Sequence, residues 1–277
     1  LVELGLVSGW DDPRMPTLSG LRRRGYTPAS IRKFCDIIGM SRSESIVDVS
    51  MLEHCIREDL DENSARAMCV LRPLKVTLTN FDSSAARILQ LPRHPKKEMG
   101  FREIPFEPEL YIDRTDFEEV PPPGYKRLSP GQEVRLRGAY VIRCDEVVRN
   151  DTGEVIELRC SMDHDTLGKN PEGRKVKGVI HWVPAASAVA AEVRIYDRLF
   201  SHANPDDKAL GDFKNSLNPD SLQVLRNCLV EPALASAKPE ESFQFEREGY
   251  FCADRFDSRP DALVFNRTVS LRDSWTK

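Results

Sequence analysis

Val147-Val-Arg-Asn-Asp-Thr-Gly-Glu-Val-Ile156 sets a cluster of turn formers, Asn150 to Gly153, between two short β-branched runs. Asn, Asp and Gly tolerate the left-handed backbone of a tight hairpin, and paired valines favour strands. The stretch therefore predicts two antiparallel strands. The same grammar repeats outward from it. Candidate strands are Lys75–Thr79, Glu109–Asp113, Glu133–Val148, Glu154–Met162, Val176–Val183, Glu192–Leu199, Ser242–Ala253 and Leu263–Leu271. Many short strands with little helix among them predict one or two barrels or sandwiches. Pro121-Pro-Pro-Gly124 reads as an exposed loop, because prolines cannot donate to a ladder. His202–Asp212 reads as another polar connection.

Residues 1–64 follow a different pattern. Thr27 is suited to cap a helix that has Pro28 at its first position, and Gly39 supplies the stop. Between them Ile31, Phe34, Cys35 and Ile38 recur at helical spacing. Ser50 and Glu53 make a capping box for a second helix, with Leu52, Cys55, Ile56 and Leu60 as its apolar stripe. The fold class is mainly β with an N-terminal helical subdomain over 1–64.

The 277 residues suggest about two domains. Forty basic residues against 44 acidic ones leave a net charge of −4, which excludes a globally basic nucleic-acid coat but permits a local basic face. No apolar run approaches the ~18–20 residues that span a bilayer. Leu1–Val7 lacks the basic region and cleavage site of a secretory signal. A chain opening on Leu1 rather than Met is expected to be part of something longer. The cysteines at 35, 55, 69, 144, 160, 228 and 252 stand singly, as reduced buried thiols of an intracellular protein do. The histidines are equally dispersed, so no metal site is expected. Phosphate-loop, dinucleotide, nucleophile-elbow and zincin motifs are all absent. Asp163-His164-Asp165 reads as a solvated turn rather than a general base, which leaves no catalytic residue to name.

The informative side chains are cationic. Arg135 and Arg137, two apart, point to one face of a strand while Val134 and Leu136 point to the other. Tyr125-Lys126-Arg127 leaves the proline loop with an aromatic ring beside two cations. Such a set suits single-stranded nucleic acid, where guanidinium groups meet phosphates and base edges and rings stack on bases. Spacing alone favours an ordinary polar strand face. Gln244 and Arg247 form a further amide-plus-guanidinium pair of opposite parity, sharing a face only if the backbone bulges or turns there. Arg22-Arg-Arg24 reads as a solvated edge.

Gly9-Trp-Asp-Asp-Pro-Arg-Met-Pro-Thr17, Gly20-Leu-Arg-Arg-Arg-Gly-Tyr26, Cys55-Ile-Arg-Glu-Asp-Leu60, Val176-Lys-Gly-Val-Ile-His-Trp-Val183 and Phe243-Gln-Phe-Glu-Arg-Glu-Gly-Tyr-Phe251 together resemble the carboxyl-terminal half of bacterial glutaminyl-tRNA synthetase, a class I aminoacyl-tRNA synthetase. The resemblance implies that 1–64 links to a catalytic fold outside this chain. It also implies that 65–277 forms two β-barrels of the ribosomal-protein-like, anticodon-binding type. It matches Arg66 to the central anticodon base, with Gln244, Arg247 and nearby Glu246. Arg127 matches the third base, with Lys126 in the same loop, and Arg135 and Arg137 the first base and its phosphate. Arg42 and Ser43 fall in the stretch touching the inner corner of the tRNA, and Lys96 is a candidate phosphate contact. Asp61, Lys96 and Gly124 stand where the family can carry amides.

By the same resemblance the partner is tRNA(Gln). Glutamine, ATP and Mg2+ are expected to bind only to the full-length enzyme, a cytoplasmic monomer, with no cofactor on this chain and no membrane. The chain is expected to position the tRNA and to be inactive alone. A glutamyl-type synthetase of the archaeal or eukaryotic kind, or a freestanding RNA-binding barrel, remains as an alternative.

Overall fold

The computed structural model describes residues 1–40, 46–82, 84–85 and 87–272. Helices come first: α1 (Leu18–Arg24), α2 (Pro28–Ile38) and α3 (Val49–Asn63). Strands follow as β1 (Ala65–Ala67), β2 (Cys69–Val70), β3 (Pro73–Leu78), β4 (Ile88–Pro92), β5 (Phe101–Pro105) and β6 (Glu109–Asp113). Next are β7 (Glu133–Leu136), β8 (Val141–Arg149), β9 (Val155–Asp163), β10 (Val179–Ile180) and β11 (Trp182–Pro184). The last are β12 (Val189–Tyr196), β13 (Leu222–Val230), β14 (Ser242–Phe245), β15 (Gly249–Ala253) and β16 (Leu263–Val269). The fold is mainly β, with barrel-like sheets and helices at the start.

These elements form two compact units. The first comprises Leu1–Ala65, Glu192–Arg226 and Ala237–Lys277; the second comprises Arg66–Ala191 and Asn227–Ser236.

In the first unit, Thr17 and Thr27 cap α1 and α2 by accepting from the amides of Gly20 and Ser30. The second helix stops at Gly39, as its sequence predicts. The third departs from the predicted capping box. Its cap is Asp48, which accepts from Ser50 N, while Glu53 lies buried between Arg57 and Arg198. An aspartate two residues upstream satisfies the first amides and leaves Glu53 available for two cations. The α2 stripe is also less buried than predicted: Ile31 packs on the core, but Cys35 and Ile38 stay exposed.

The arginines of α1 are not a solvated edge. Arg22 pairs with Glu240, Arg23 with Asp11, Asp254 and Asp257, and Arg24 donates to the carbonyls of Tyr196 and Thr268. The helix is thereby pinned to the strands β14-β15-β16-β12-β13, which lie in that order. Tyr26, Ile56, Leu60, Tyr250 and Val269 make one buried cluster of this unit. Phe245 stacks on Phe251 at 4.4 Å and meets Phe265 edge-on.

The second unit closes into a barrel through one short segment. Residues 179–180 pair parallel with β7, and 182–184 pair antiparallel with β6. The segment therefore joins the two ends of the order β10-β7-β8-β9-β3-β6-β11, leaving no free edge there. Trp182, fully buried, packs edge-on against Phe106 and donates its indole N–H to the carbonyl of Arg137 at 3.0 Å. The β8–β9 hairpin forms where expected, its turn fastened by Asn150, which accepts from the amides of Thr152 and Glu154. Two predicted strands are each a pair of strands: Glu133–Val148 breaks at Gly138 and Ser242–Ala253 at Arg247, both with positive φ. A β-carbon on Gly138 would fall 2.1 Å from Leu91 Cδ2, so the break demands glycine.

Asp12 supplies an acid-sensitive contact. Burial would raise its carboxyl, but Arg14 and the amides of Ser8 and Arg14 bond to it and hold it at about 2, below the usual 3.8. Because the folded value is the lower one, this stabilisation is complete above about pH 4 and is lost as pH falls through about 2. It amounts to ~2 kcal/mol. Asp12→Asn is expected to lower the melting temperature at pH 6 and to flatten its decline between pH 4 and pH 2, as calorimetry would show.

Candidate nucleic-acid interface

The exposed chemistry of the second unit is organised by a short turn after β6. Asp113 is buried, and its Oδ1 accepts from the amide and hydroxyl of Thr115 at 3.0 and 2.7 Å. Its Oδ2 accepts from the amides of Leu71 and Arg72, both at 3.1 Å. This fixes a single 3-10 turn, Arg114–Asp116. The chain then runs out through the exposed Pro121–Gly124 loop and returns, with Leu128 N donating to the carbonyl of Asp116 at 3.0 Å.

Arg127 projects from the returning segment. Its Nη1 donates to the carbonyl of Thr115 at 2.8 Å and lies 3.3 Å from Asp116 Oδ1. The carboxylate is 1% exposed and the guanidinium side chain 43% exposed. Both of these contacts use Nη1, so among the described residues the Nε and Nη2 edge of the fork meets no hydrogen-bond partner. That edge has the two-donor geometry that meets a base or a phosphate side-on.

Lys126 is exposed beside it. Its carbonyl sits against Gly178, where a β-carbon would lie 1.7 Å from the oxygen. Gly178 in turn accepts from Arg135 N at 3.0 Å. One backbone segment thus brings Lys126-Arg127 and the start of the Arg135 strand onto either side of itself.

Arg135 lies on the polar face of β7, opposite the buried Val134 and Leu136. Arg135 spends its guanidinium on backbone carbonyls, Nη1 on Ala139 and Thr166 and Nη2 on Lys169. It acts as a clamp joining the Gly138 turn to the 164–169 segment. Arg137 has left the strand and is exposed in that turn. Lys96 is exposed in the β4–β5 connection, its amide donating to His94 Nδ1. Arg66 is nearly buried in β1, with its amide on the carbonyl of Arg93.

Gln244, Glu246 and Arg247 belong to the first unit. Gln244 pairs opposite Tyr250 in β14, and Glu246–Glu248 form the turn, closed by Glu248 N on the carbonyl of Phe245 at 2.9 Å. The backbone does turn there, which is the condition for Gln244 and Arg247, of opposite parity, to share a face. Arg247 holds φ +72°, a left-handed conformation costly for a residue with a β-carbon. Asp61 accepts from the Tyr250 hydroxyl at 3.1 Å. Arg42 and Ser43 lie outside the described residues. Asp163-His164-Asp165 is a structural turn: Asp163 caps it and is lowered in pKa by its hydrogen bond with Arg174. Asp116 and Gly178 are not candidates from the sequence. The Asp113-x-x-Asp116 spacing, an acidic variant of a capping motif, is the signal that marks the first.

Residues 64–163 and 179–254 each match a family described as tRNA synthetases class I (E and Q), anti-codon binding domain. Residues 1–62 match the catalytic domain of the same synthetases. The chain belongs to the class I glutamyl- and glutaminyl-tRNA synthetase family. It is 67% identical over 276 residues to a glutamine–tRNA ligase of Stutzerimonas stutzeri, covering 99% of this chain and 50% of that protein. It is 65% identical to the glutamine–tRNA ligase of Azotobacter vinelandii, with the same coverage. For that of Pseudomonas syringae pv. tomato the figure is 64%, over 100% of this chain and 49% of the relative. The chain therefore spans about half the length of these synthetases. The helical segment, read from the sequence as a link to the catalytic fold, falls under the family's catalytic-domain description. Among the described residues, no helix is long and apolar enough to cross a membrane.

Arg135→Ala removes three charge-assisted bonds to backbone and is expected to cost ~1.5–3 kcal/mol of stability, measured by urea titration. An Arg135→Ala protein as stable as the parent would show that the clamp is idle.

Proposed function

We propose that this chain is the anticodon-binding part of a glutamine–tRNA ligase. In this reading, residues 65–277 hold the tRNA(Gln) anticodon and residues 1–64 join them to the rest of the catalytic domain. The observation that carries the proposal is the consecutive match to the two anticodon-binding families along a chain 64–67% identical to named glutamine–tRNA ligases. The second barrel unit adds support by presenting a guanidinium whose open edge faces solvent. The complete enzyme, a cytoplasmic monomer in this reading, attaches glutamine to tRNA(Gln) with ATP and Mg2+. The present chain carries none of the sequence motifs of phosphate binding, and its part is to bind and orient the RNA.

An anticodon suits such a surface because its bases are splayed and can be taken singly by side chains between barrel loops. Arg127 is assigned to the third base, with Lys126 beside it. Arg66, Gln244, Glu246 and Arg247 are assigned to the central base. Arg137 serves the first base or its phosphate, Arg135 contributes mainly by shaping that turn, and Lys96 meets phosphate. The Arg42–Ser43 stretch is assigned to the inner corner of the tRNA.

The test is binding to glutamine-accepting tRNA and to variants with each anticodon base exchanged, at two salt concentrations. A preference of at least ~5-fold for the glutamine anticodon, kept at the higher salt, is expected from base readout. Equal binding to all of them, falling together with salt, would reduce the surface to phosphate contacts and overturn the proposal.

A further inference from the structure

Arg127 is an uncommon kind of RNA-facing arginine, because its charge is already partnered by a carboxylate inside the protein. Asp116 is almost wholly buried, and its Oδ1 lies 3.3 Å from Arg127 Nη1 at the rim, so the cation is tied to a carboxylate fixed in the scaffold. The Thr115 carbonyl on the same Nη1 fixes the direction of the fork as well as its position. Behind them, Asp113 fixes the turn that carries both acceptors. On the other side of the loop, the close contact of Gly178 with the Lys126 carbonyl sets the height of the backbone from which Arg127 leaves.

We infer that Asp116 is a specificity-determining positioning residue. It holds Arg127 in one orientation before RNA arrives and makes it a reader of a base edge rather than a phosphate anchor. The inference deepens the proposed function and rests on the assignment of Arg127 to the third anticodon base. Two physical consequences separate it from a merely structural role. An arginine that meets a base edge releases no phosphate counterion, so its loss leaves the salt dependence of binding nearly unchanged. A free phosphate-binding arginine would lower that slope by about 1. Pre-orientation also lowers the ordering cost of a bidentate contact, and that benefit vanishes once the arginine is gone.

The experiment is a double-mutant cycle on the protein. Asp116→Asn, Arg127→Ala and the double variant are assayed for binding to glutamine-accepting tRNA transcripts carrying the matched or an exchanged third anticodon base. Arg127→Ala is expected to lower third-base discrimination about tenfold, the size of one good base contact, with an unchanged salt slope. Asp116→Asn is expected to lower it several-fold while discrimination at the central base is kept. Asp116→Asn should add no further loss in the Arg127→Ala background.

Melting temperatures of all three variants guard against simple unfolding, and Asp116→Glu, which keeps the charge, is expected to restore part of the discrimination. If Arg127→Ala collapses discrimination but Asp116→Asn leaves it intact, or if the two losses add in full, the positioning role is overturned. If Arg127→Ala itself leaves third-base discrimination unchanged, the assignment of Arg127 fails and the inference with it. A salt slope shifted by about 1 in Arg127→Ala would place Arg127 on a phosphate and contradict base reading.

Discussion

The carboxylate of Asp113 governs where the exposed chemistry of the second unit can stand. Four protein donors converge on its two oxygens, two from Leu71 and Arg72 at the entry to β3 and two from Thr115 in the following turn. Such a group is costly to bury and is tolerated because each of those bonds is made. The consequence is a rigid corner at the end of β6, and every later feature of the surface is placed relative to it. Thr115 and Asp116 face Arg127, the proline loop starts from a fixed point, and Leu128 returns to the carbonyl of Asp116.

Barrel closure is the second constraint. One six-residue stretch, 179–184, pairs with β7 at one end and β6 at the other, so the strand carrying Arg135 and the strand leading to Asp113 are fixed by the same segment. Gly178 just before it has to be glycine because the Lys126 carbonyl occupies the place of a side chain. A recognition surface made of loops gains its precision here from backbone contacts. Those contacts leave side chains such as Arg127 with an open edge while others, such as Arg135, are absorbed into the scaffold.

Much of the fold was legible in the sequence because local chemistry and tertiary packing agree. Asn150–Gly153 turns where its residues require it, Thr27 and Gly39 bound their helix, and Glu109–Asp113 is a strand from end to end. The strand β13 was not legible: its burial does not alternate, and Arg226-Asn227 in its middle look like loop. The β4–β5 hairpin was hidden by Pro92, Pro95 and the lysines between its strands. At the site, parity placed Arg135 opposite the core, whereas Arg137 lies in the turn past the end of β7. Spacing carries no information about which carbonyls a guanidinium will meet, so the clamp role of Arg135 and the pairing of Arg127 with Asp116 emerged only from the three-dimensional arrangement.

In the proposed function the barrel surface around Arg127 takes hold of a base. The most direct measurement is an experimental structure of the chain bound to an anticodon stem-loop carrying the glutamine anticodon. It is predicted to place the third base against the Nε and Nη2 edge of Arg127, with Nη1 still on Thr115 and Asp116. A structure in which that edge meets a phosphate, or in which the loop lies away from Arg127 altogether, would contradict it.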